Sequence, residues 1–338
     1  MADHVVPGEP ADREAAWHIG RRTLPAPAGA SEQLRESIAA TPTPDPAVAP
    51  MLPGDEVALA AFVAQADAMT IEMVRELREQ VPVTVTDDVI DGVDVHRVDP
   101  VEADPRHDGH LFVYVHGGAF VLNGGEASLA EPILIAHRTG MRVLSIDYRM
   151  PPSHPAPAGT DDVMTVYRRV LDERSGRSLA LGGSSGGANM CMVTVQHAIR
   201  DRLEVPGVLY LGTPGADMTE TGDSVFINEG IDRTLVSYRH YVNAVRLYAG
   251  DLDLGDLLIS PIYGDFGGFP PTFLVTGTRD ILLSATARTH IKIREAGSVA
   301  DLLVYEGMAH ADYAREMASP ESQHAYSELN RFLLTHLA

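Results

Sequence analysis

Cysteine is nearly absent from this 338-residue chain, which has Cys191 and no other. A lone thiol excludes an internal disulfide framework and any multi-thiolate metal site, and it fits a reducing compartment. Basic residues are also scarce: 26 Lys and Arg face 47 Asp and Glu, for a formal net charge of −21. A field of that sign repels polyanions and keeps the surface soluble, so nucleic acid is not an expected partner. It disfavours anionic substrates as well. Residues 1–22 contain no apolar stretch of the kind a secretory leader needs, and no segment reads as long enough to cross a bilayer. A cytoplasmic protein without membrane insertion is the expectation. No internal repeat, metal-ligand cluster or Gly-rich dinucleotide turn is present, so neither cofactor nor metal is expected.

What is present alternates. Up to about Gly54 the chain is rich in Ala and Pro, notably Thr41-Pro42-Thr43-Pro44-Asp45-Pro46, which predicts short helices joined by extended arm. From Glu56 to Gln80, apolar residues such as Leu59, Phe62, Val63, Ala66, Met73, Val74 and Leu77 recur at helical spacing. Val83–Val85 and Val93–Val95 read as two strands joined by a tight turn at Asp91-Gly92. Strands are then predicted at 111–115, 142–146, 179–181, 208–211, 272–276 and 301–305, with helices at 161–171, 187–200, 285–296 and 321–334. Such alternation predicts an α/β fold with a mostly parallel sheet covered by helices on both faces. Between Leu211 and Thr272 lie about 60 residues, far more than a standard crossover uses. Polar and turn-rich over 217–230 and amphipathic over 239–248, this interval reads as an insertion above the sheet's C-terminal edge.

Four signals fall at strand ends. After the strand ending at Leu181 comes Gly182-Gly183-Ser184-Ser185-Gly186-Gly187-Ala188-Asn189, opening a helix. This is the strand–turn–helix setting of a G-x-S-x-G nucleophile elbow, where small neighbours permit a sharp, strained turn. Both Ser184 and Ser185 satisfy the pattern; counting from the strand end favours Ser185. After 111–115 comes His116-Gly117-Gly118-Ala119-Phe120, a turn that offers unobstructed backbone N–H groups to an oxyanion. His116 precedes the nucleophile and reads as an architectural residue. After 272–276 comes Asp280, and after 301–305 comes His310. The order Ser, Asp, His is the one used by the α/β-hydrolase fold. The candidate site is therefore Ser185, Asp280 and His310, with Gly117, Gly118, Ala119 and Gly186 around the oxyanion.

These segments resemble the bacterial hormone-sensitive-lipase-like esterases, the H-G-G-G branch of the α/β-hydrolases, from about Val81 to the C-terminus. The 116–120 segment resembles H-G-G-G-F/W. Asp147-Tyr148-Arg149-Met150-Pro151-Pro152 is similar to D-Y-R-L-A-P, with Asp162 at an acidic position beyond it. Residues 183–189 resemble G-D/T-S-A-G-G-N, and Ser260-Pro261 and Asp280-Ile281-Leu282 match S-P and D-P-L. Ala119 and Ala188 stand where the family has glycine; each keeps its N–H, which suffices unless the position needs φ > 0. Ser153 stands where Glu is common. The resemblance implies an α/β-hydrolase catalytic domain over 81–338, with a helical cap made from residues 1–80 and an insertion at about 213–258. It also implies hydrolysis of short- to medium-chain carboxylic esters without a cofactor, and homodimers in some relatives. A lactone hydrolase or amidase would use the same residues, and a catalytically dead ligand-binding homologue would lack one of them. Met69, Met73, Phe120, Met150, Phe226, Tyr238, Tyr241 and Tyr248 are candidates for an apolar pocket, with core packing as the commoner role of such residues.

Overall fold

The computed structural model describes residues 22–49 and 52–338. The start of the polar N-terminal arm, residues 1–21, lies outside the described residues. Eight strands form one sheet: β1 (Val83–Ile90), β2 (Val93–Pro100), β3 (Leu111–Val115), β4 (Val143–Asp147), β5 (Leu179–Ser184), β6 (Val208–Gly212), β7 (Thr272–Gly277) and β8 (Ala300–Tyr305). Their order is β1-β2-β4-β3-β5-β6-β7-β8. β2 is antiparallel to both its neighbours, and all pairings from β4 onward are parallel. Asp91 and Gly92 both take positive φ, 48° and 87°, as a two-residue hairpin turn requires.

Alternation along the central strands sorts the core into two layers. Val113, Val115, Leu181, Leu211 and Leu274 face one way. They pack against α4 (Ala158–Leu171), α5 (Gly186–Asp201), α7 (Tyr238–Ala249) and α8 (Leu283–Glu295). Phe112, Tyr114, Ala180, Tyr210 and Phe273 face the other way, onto α3 (Ala130–Thr139) and α10 (Pro320–His336). Leu34 of α1 (Glu32–Ala40) and Val74 and Leu77 of α2 (Glu56–Gln80) join this second layer. Burying each such side chain contributes about 1.5–3 kcal/mol. Helix α3 has no counterpart in the periodicity reading, because Pro132 to Ala136 are all buried and leave no polar face to reveal a helical repeat.

The long helix α2 occupies the predicted 56–80, N-capped by Asp55, whose carboxylate accepts the Ala58 N–H at 2.9 Å. Much of it faces outward: Val57 is 78% and Met69 71% exposed. By length and composition alone this 25-residue helix could cross a bilayer, which corrects the expectation that no segment reaches that length. The periodic run was read as amphipathic, and its six alanines, set among Val, Leu, Ile and Phe, raise its mean hydropathy.

The interval between β6 and β7 contains α6 (Asp223–Ile227) and α7, the latter covering the predicted amphipathic stretch. The N-terminal segment is pinned to the far end of the chain. Ser31 caps α1, and its N–H and hydroxyl both donate to the Glu321 carboxylate of α10, at 2.6 and 2.7 Å. Lys292, the chain's one lysine, sits in the last turn of α8 with its Nζ 5.8 Å from the centre of the Phe266 ring.

Candidate active site

Ser185 stands at the junction of β5 and α5 with φ 57° and ψ −119°, a conformation that costs a non-glycine residue about 1–3 kcal/mol. The surroundings hold it there. Its N–H donates to the Gly212 carbonyl at 2.9 Å, and its own carbonyl accepts from the N–H groups of Gly215 (3.1 Å) and Asn189 (3.2 Å). The elbow glycines are small for a reason. A Cβ on Gly187 would run into the carbonyls of Val115 and His116, and one on Gly183 into that of Val115. The turn after β3 thus nests against the elbow, and a Cβ on Gly117 would come within 2.8 Å of the Ser184 carbonyl.

The turn after β3, the candidate oxyanion segment, has positive φ over three residues: Gly118 at 119°, Ala119 at 52° and Phe120 at 68°. Position 119 therefore does need φ > 0, and the alanine there bears strain that the family's glycine avoids. Ala188, the other departure, lies inside α5 and meets no such demand. The D-Y-R segment braces this turn from behind. Asp147 accepts the Gly125 N–H at 3.0 Å, and Tyr148 donates to the His116 carbonyl at 3.0 Å. Arg149 grips Asp162 with Nε and Nη2 at 2.7–3.0 Å. His116 stacks on Tyr148 with ring centres 4.1 Å apart, and burial holds its imidazole below the usual histidine value. Its architectural reading fits these contacts.

Asp280 and His310 leave adjacent strand ends and meet. Nδ1 of His310 lies 3.1 Å from Asp280 Oδ1. Asp280 is fully buried, and it accepts from Thr276 Oγ1 (2.6 Å), from the Leu282 N–H (2.8 Å) and from Thr213 Oγ1. Burial pushes its pKa up, but the His310 charge and these hydrogen bonds outweigh that and leave it below the usual carboxylate range. Burial likewise pulls His310 down, while Asp280, then Asp232 and Asp312, more than compensate, leaving the imidazole above the ordinary histidine value. Thr213 Oγ1 also lies 3.0 Å from His310 Nδ1. With Nδ1 engaged in this way, Nε2 is the nitrogen left free for chemistry.

Ser185 and His310 line one cavity of about 360 Å³ together with Gly117, Gly118, Ala119, Met73, Leu77, Leu122 and Leu235. Gly186 sits behind Ser185 in the first turn of α5, against the Phe120 ring. Of the apolar candidates, Met73 lines the cavity. Met69 and Phe226 are exposed, and Phe120 and Tyr248 stack on each other in the core, 4.1 Å apart. Tyr241 of α7 brings a buried hydroxyl beside Gly215 and Ser185. Ser184 is committed elsewhere: its Oγ lies 2.7 Å from the Tyr313 hydroxyl. It belongs to a buried group around Glu131, which accepts from Tyr114 (2.6 Å) and Tyr210 (2.7 Å).

Sequence reasoning missed Thr213, Thr276 and Asp232. Thr276 lies four residues before Asp280 at the end of β7, a signal that could have found it. Thr213 and Asp232 act across long sequence separations and leave no local signature.

Comparison with known proteins bears on the fold and the family. The family model described as alpha/beta hydrolase fold matches residues 112–314. The crystal structure of the esterase E25 is 58% identical, superposes with a TM-score of 0.93, and aligns over 96% of this chain and 99% of that one. That of an esterase from the bacterial hormone-sensitive lipase family is 25% identical with a TM-score of 0.77, over 91% and 99% of the two chains. Among curated proteins, the chain is similar to an esterase of Acinetobacter venetianus, 29% identical over 66% of this chain and 74% of that protein.

Proposed function

Since the chain belongs to the alpha/beta hydrolase fold family, on its hormone-sensitive-lipase-like branch, and is a carboxylic ester hydrolase, we propose that it cleaves short- to medium-chain esters through an acyl-enzyme on Ser185. The observation that carries this reading is the strained Ser185 opening into the same cavity as a His310 paired with Asp280. In the first half-reaction Ser185 Oγ attacks the ester carbonyl and His310 Nε2 takes its proton. Asp280 fixes the imidazole tautomer and stabilises the imidazolium. The N–H groups of Gly118, Ala119 and Gly186 receive the negative oxygen, with Gly117 keeping the turn close to the elbow. The intermediate collapses, and the C–O bond breaks as the alcohol leaves with the proton from His310. Water, deprotonated by His310, then attacks the acyl-enzyme, the Ser185 Oγ–acyl bond breaks, and Oγ takes the proton back from His310 as the acid is released.

A cavity of about 360 Å³ is near the small end of ordinary ligand sites, which favours modest acyl chains over long ones. We read the described part of the N-terminal region up to residue 80 and the insertion at about 213–258 as the cap over it. Hydrolysis of p-nitrophenyl acetate, butyrate, octanoate and palmitate tests the reading, with rates highest on the shorter chains and lost on labelling by an organophosphate. Ser185→Ala should lower turnover at least 10³-fold and abolish labelling. Ser184→Ala, which removes the contacts to Tyr313 and Glu131, should keep most activity. The reverse pattern would move the nucleophile to Ser184.

A further inference from the structure

The insertion between β6 and β7 does more than cover the cavity, because residues 228–233 reach the loops that carry Asp280 and His310. Asn228 Nδ2 donates to the carbonyls of Asp280 (2.8 Å) and Thr278 (3.2 Å). Asp232, fully buried, collects backbone N–H groups from three segments. Its Oδ1 accepts from Thr234 (2.8 Å) and Leu235 (2.9 Å), its Oδ2 accepts from Ile281 (2.9 Å), and the His310 nitrogen lies between the two oxygens, 3.4 Å from Oδ1 and 3.3 Å from Oδ2. Next to it, Arg233 donates to Asp312 (2.9 Å), Glu316 (2.8 Å) and Ser37 of α1 (2.8 Å).

We propose that Asp232 is a positioning residue for ester hydrolysis, whose single carboxylate clamps the Asp280 loop to the His310 loop and so holds the acid–base pair in register. The inference rests on the reading of Ser185, Asp280 and His310 as the reacting triad. The chemistry selects a carboxylate here. Four N–H donors converge on one side chain, and only a group that accepts at both oxygens satisfies them all. An amide would turn its own N–H₂ against one pair of donors. The bond pattern also shows reach beyond the local turn: Oδ1 holds Thr234 and Leu235 and shares the His310 N–H, whereas Oδ2 takes the other share of that N–H and the Ile281 N–H, so the carboxylate contacts both loops. A residue needed for the turn alone would have no use for the second oxygen.

The position is costly, which argues against a passive role. Asp232 is buried beside Asp280, of like charge, and faces His310 and Asp312 from the loop after β8, with Arg233 and Glu316 farther along the same cluster. Burial first, then the Asp280 charge, raise its pKa to about 6, against the pull of His310 and the N–H groups of Ile281 and Thr234.

The test uses the full chain with p-nitrophenyl butyrate from pH 5 to 9, comparing wild type with Asp232→Ser and Asp232→Asn. Serine keeps an acceptor for the local turn but is too short to reach Ile281 and His310. A loosened pair should lower kcat about 10- to 100-fold, as displacements near 1 Å do, with KM within about threefold of wild type. The limb of kcat/KM governed by His310 should also move to lower pH, because a negative charge beside the imidazole is gone. Wild-type kcat and an unmoved limb in Asp232→Ser overturn the proposal. So does an Asp232→Ser chain that is unfolded by circular dichroism, since its role would then be in folding. Ester hydrolysis that survives Ser185→Ala would instead remove the triad reading itself.

Discussion

At the scale of single residues the proposed chemistry turns on His310, whose imidazole must be neutral to accept a proton from Ser185. Its pKa lies above the ordinary histidine value because Asp280, Asp232 and Asp312 outweigh its burial. The rising limb of kcat/KM on a neutral ester should therefore centre above pH 6.5, the free-imidazole value. An inflexion at or below that value in a pH–rate profile would contradict the arrangement. The same shift links to stability: protonated His310 favours the folded chain fully below about pH 6.5, and that contribution is lost as pH rises through the folded value. Ser185, Asp280 and His310 were legible in sequence because each follows a strand whose apolar run is itself legible, so position along the sheet edge could be counted. The Ser184–Ser185 ambiguity was legible too, and Ser184 is tied to Tyr313 in the structure. Thr213 and Asp232 were not legible. Thr213 meets Asp280 across 67 residues and Asp232 meets His310 across 78, and nothing near either residue marks the contact.

Among the elements, periodicity succeeded where one face is wet and failed where none is. Helices α2 and α10 matched their predicted spans to within a few residues, whereas α5, buried throughout 186–195, was marked by the Gly-Ser motif that opens it. Helix α3 was invisible because it is packed between the sheet and α10, with Ile133 and Ile135 wholly buried. Ile133→Ala should cost about 2–5 kcal/mol, read as a lower urea midpoint with an unchanged slope; a change under 0.5 kcal/mol would mean that this layer is loosely packed. The hairpin strands β1 and β2 extend well past the predicted 83–85 and 93–95, through residues that look too polar for a strand. Their polarity is spent across the ladder: His96 Nδ1 lies 2.7 Å from Asp87 directly opposite, and Arg97 donates to Asp88 at 2.8 Å. Such cross-strand pairs stabilise an exposed edge that alternation alone does not reveal.

For the molecule as a whole, the net charge of −21 sets the field in which the cavity beside Ser185 and His310 lies. Hydrolysis of an ester carrying a free carboxylate should be slow at low ionic strength and should quicken as salt screens the field. The rate on p-nitrophenyl butyrate should stay nearly flat over the same range. Equal salt dependence for both substrates would show that the global charge is not felt at the site. The composition made this expectation legible, whereas the pinning of α1 to α10 through Ser31 and Glu321 joins residues 290 positions apart and could come only from the fold. The scarcity of basic groups has one more consequence. Helix α8 begins three residues after Asp280 at the catalytic edge of the sheet, and Lys292 lies nine residues along it, about 14 Å away at the rise of an α-helix. With no other lysine in the chain, amine-directed coupling to a surface has this one side chain and the α-amino group to choose from. A protein tethered through Lys292 would be held by the edge opposite its cavity, every copy facing the solution.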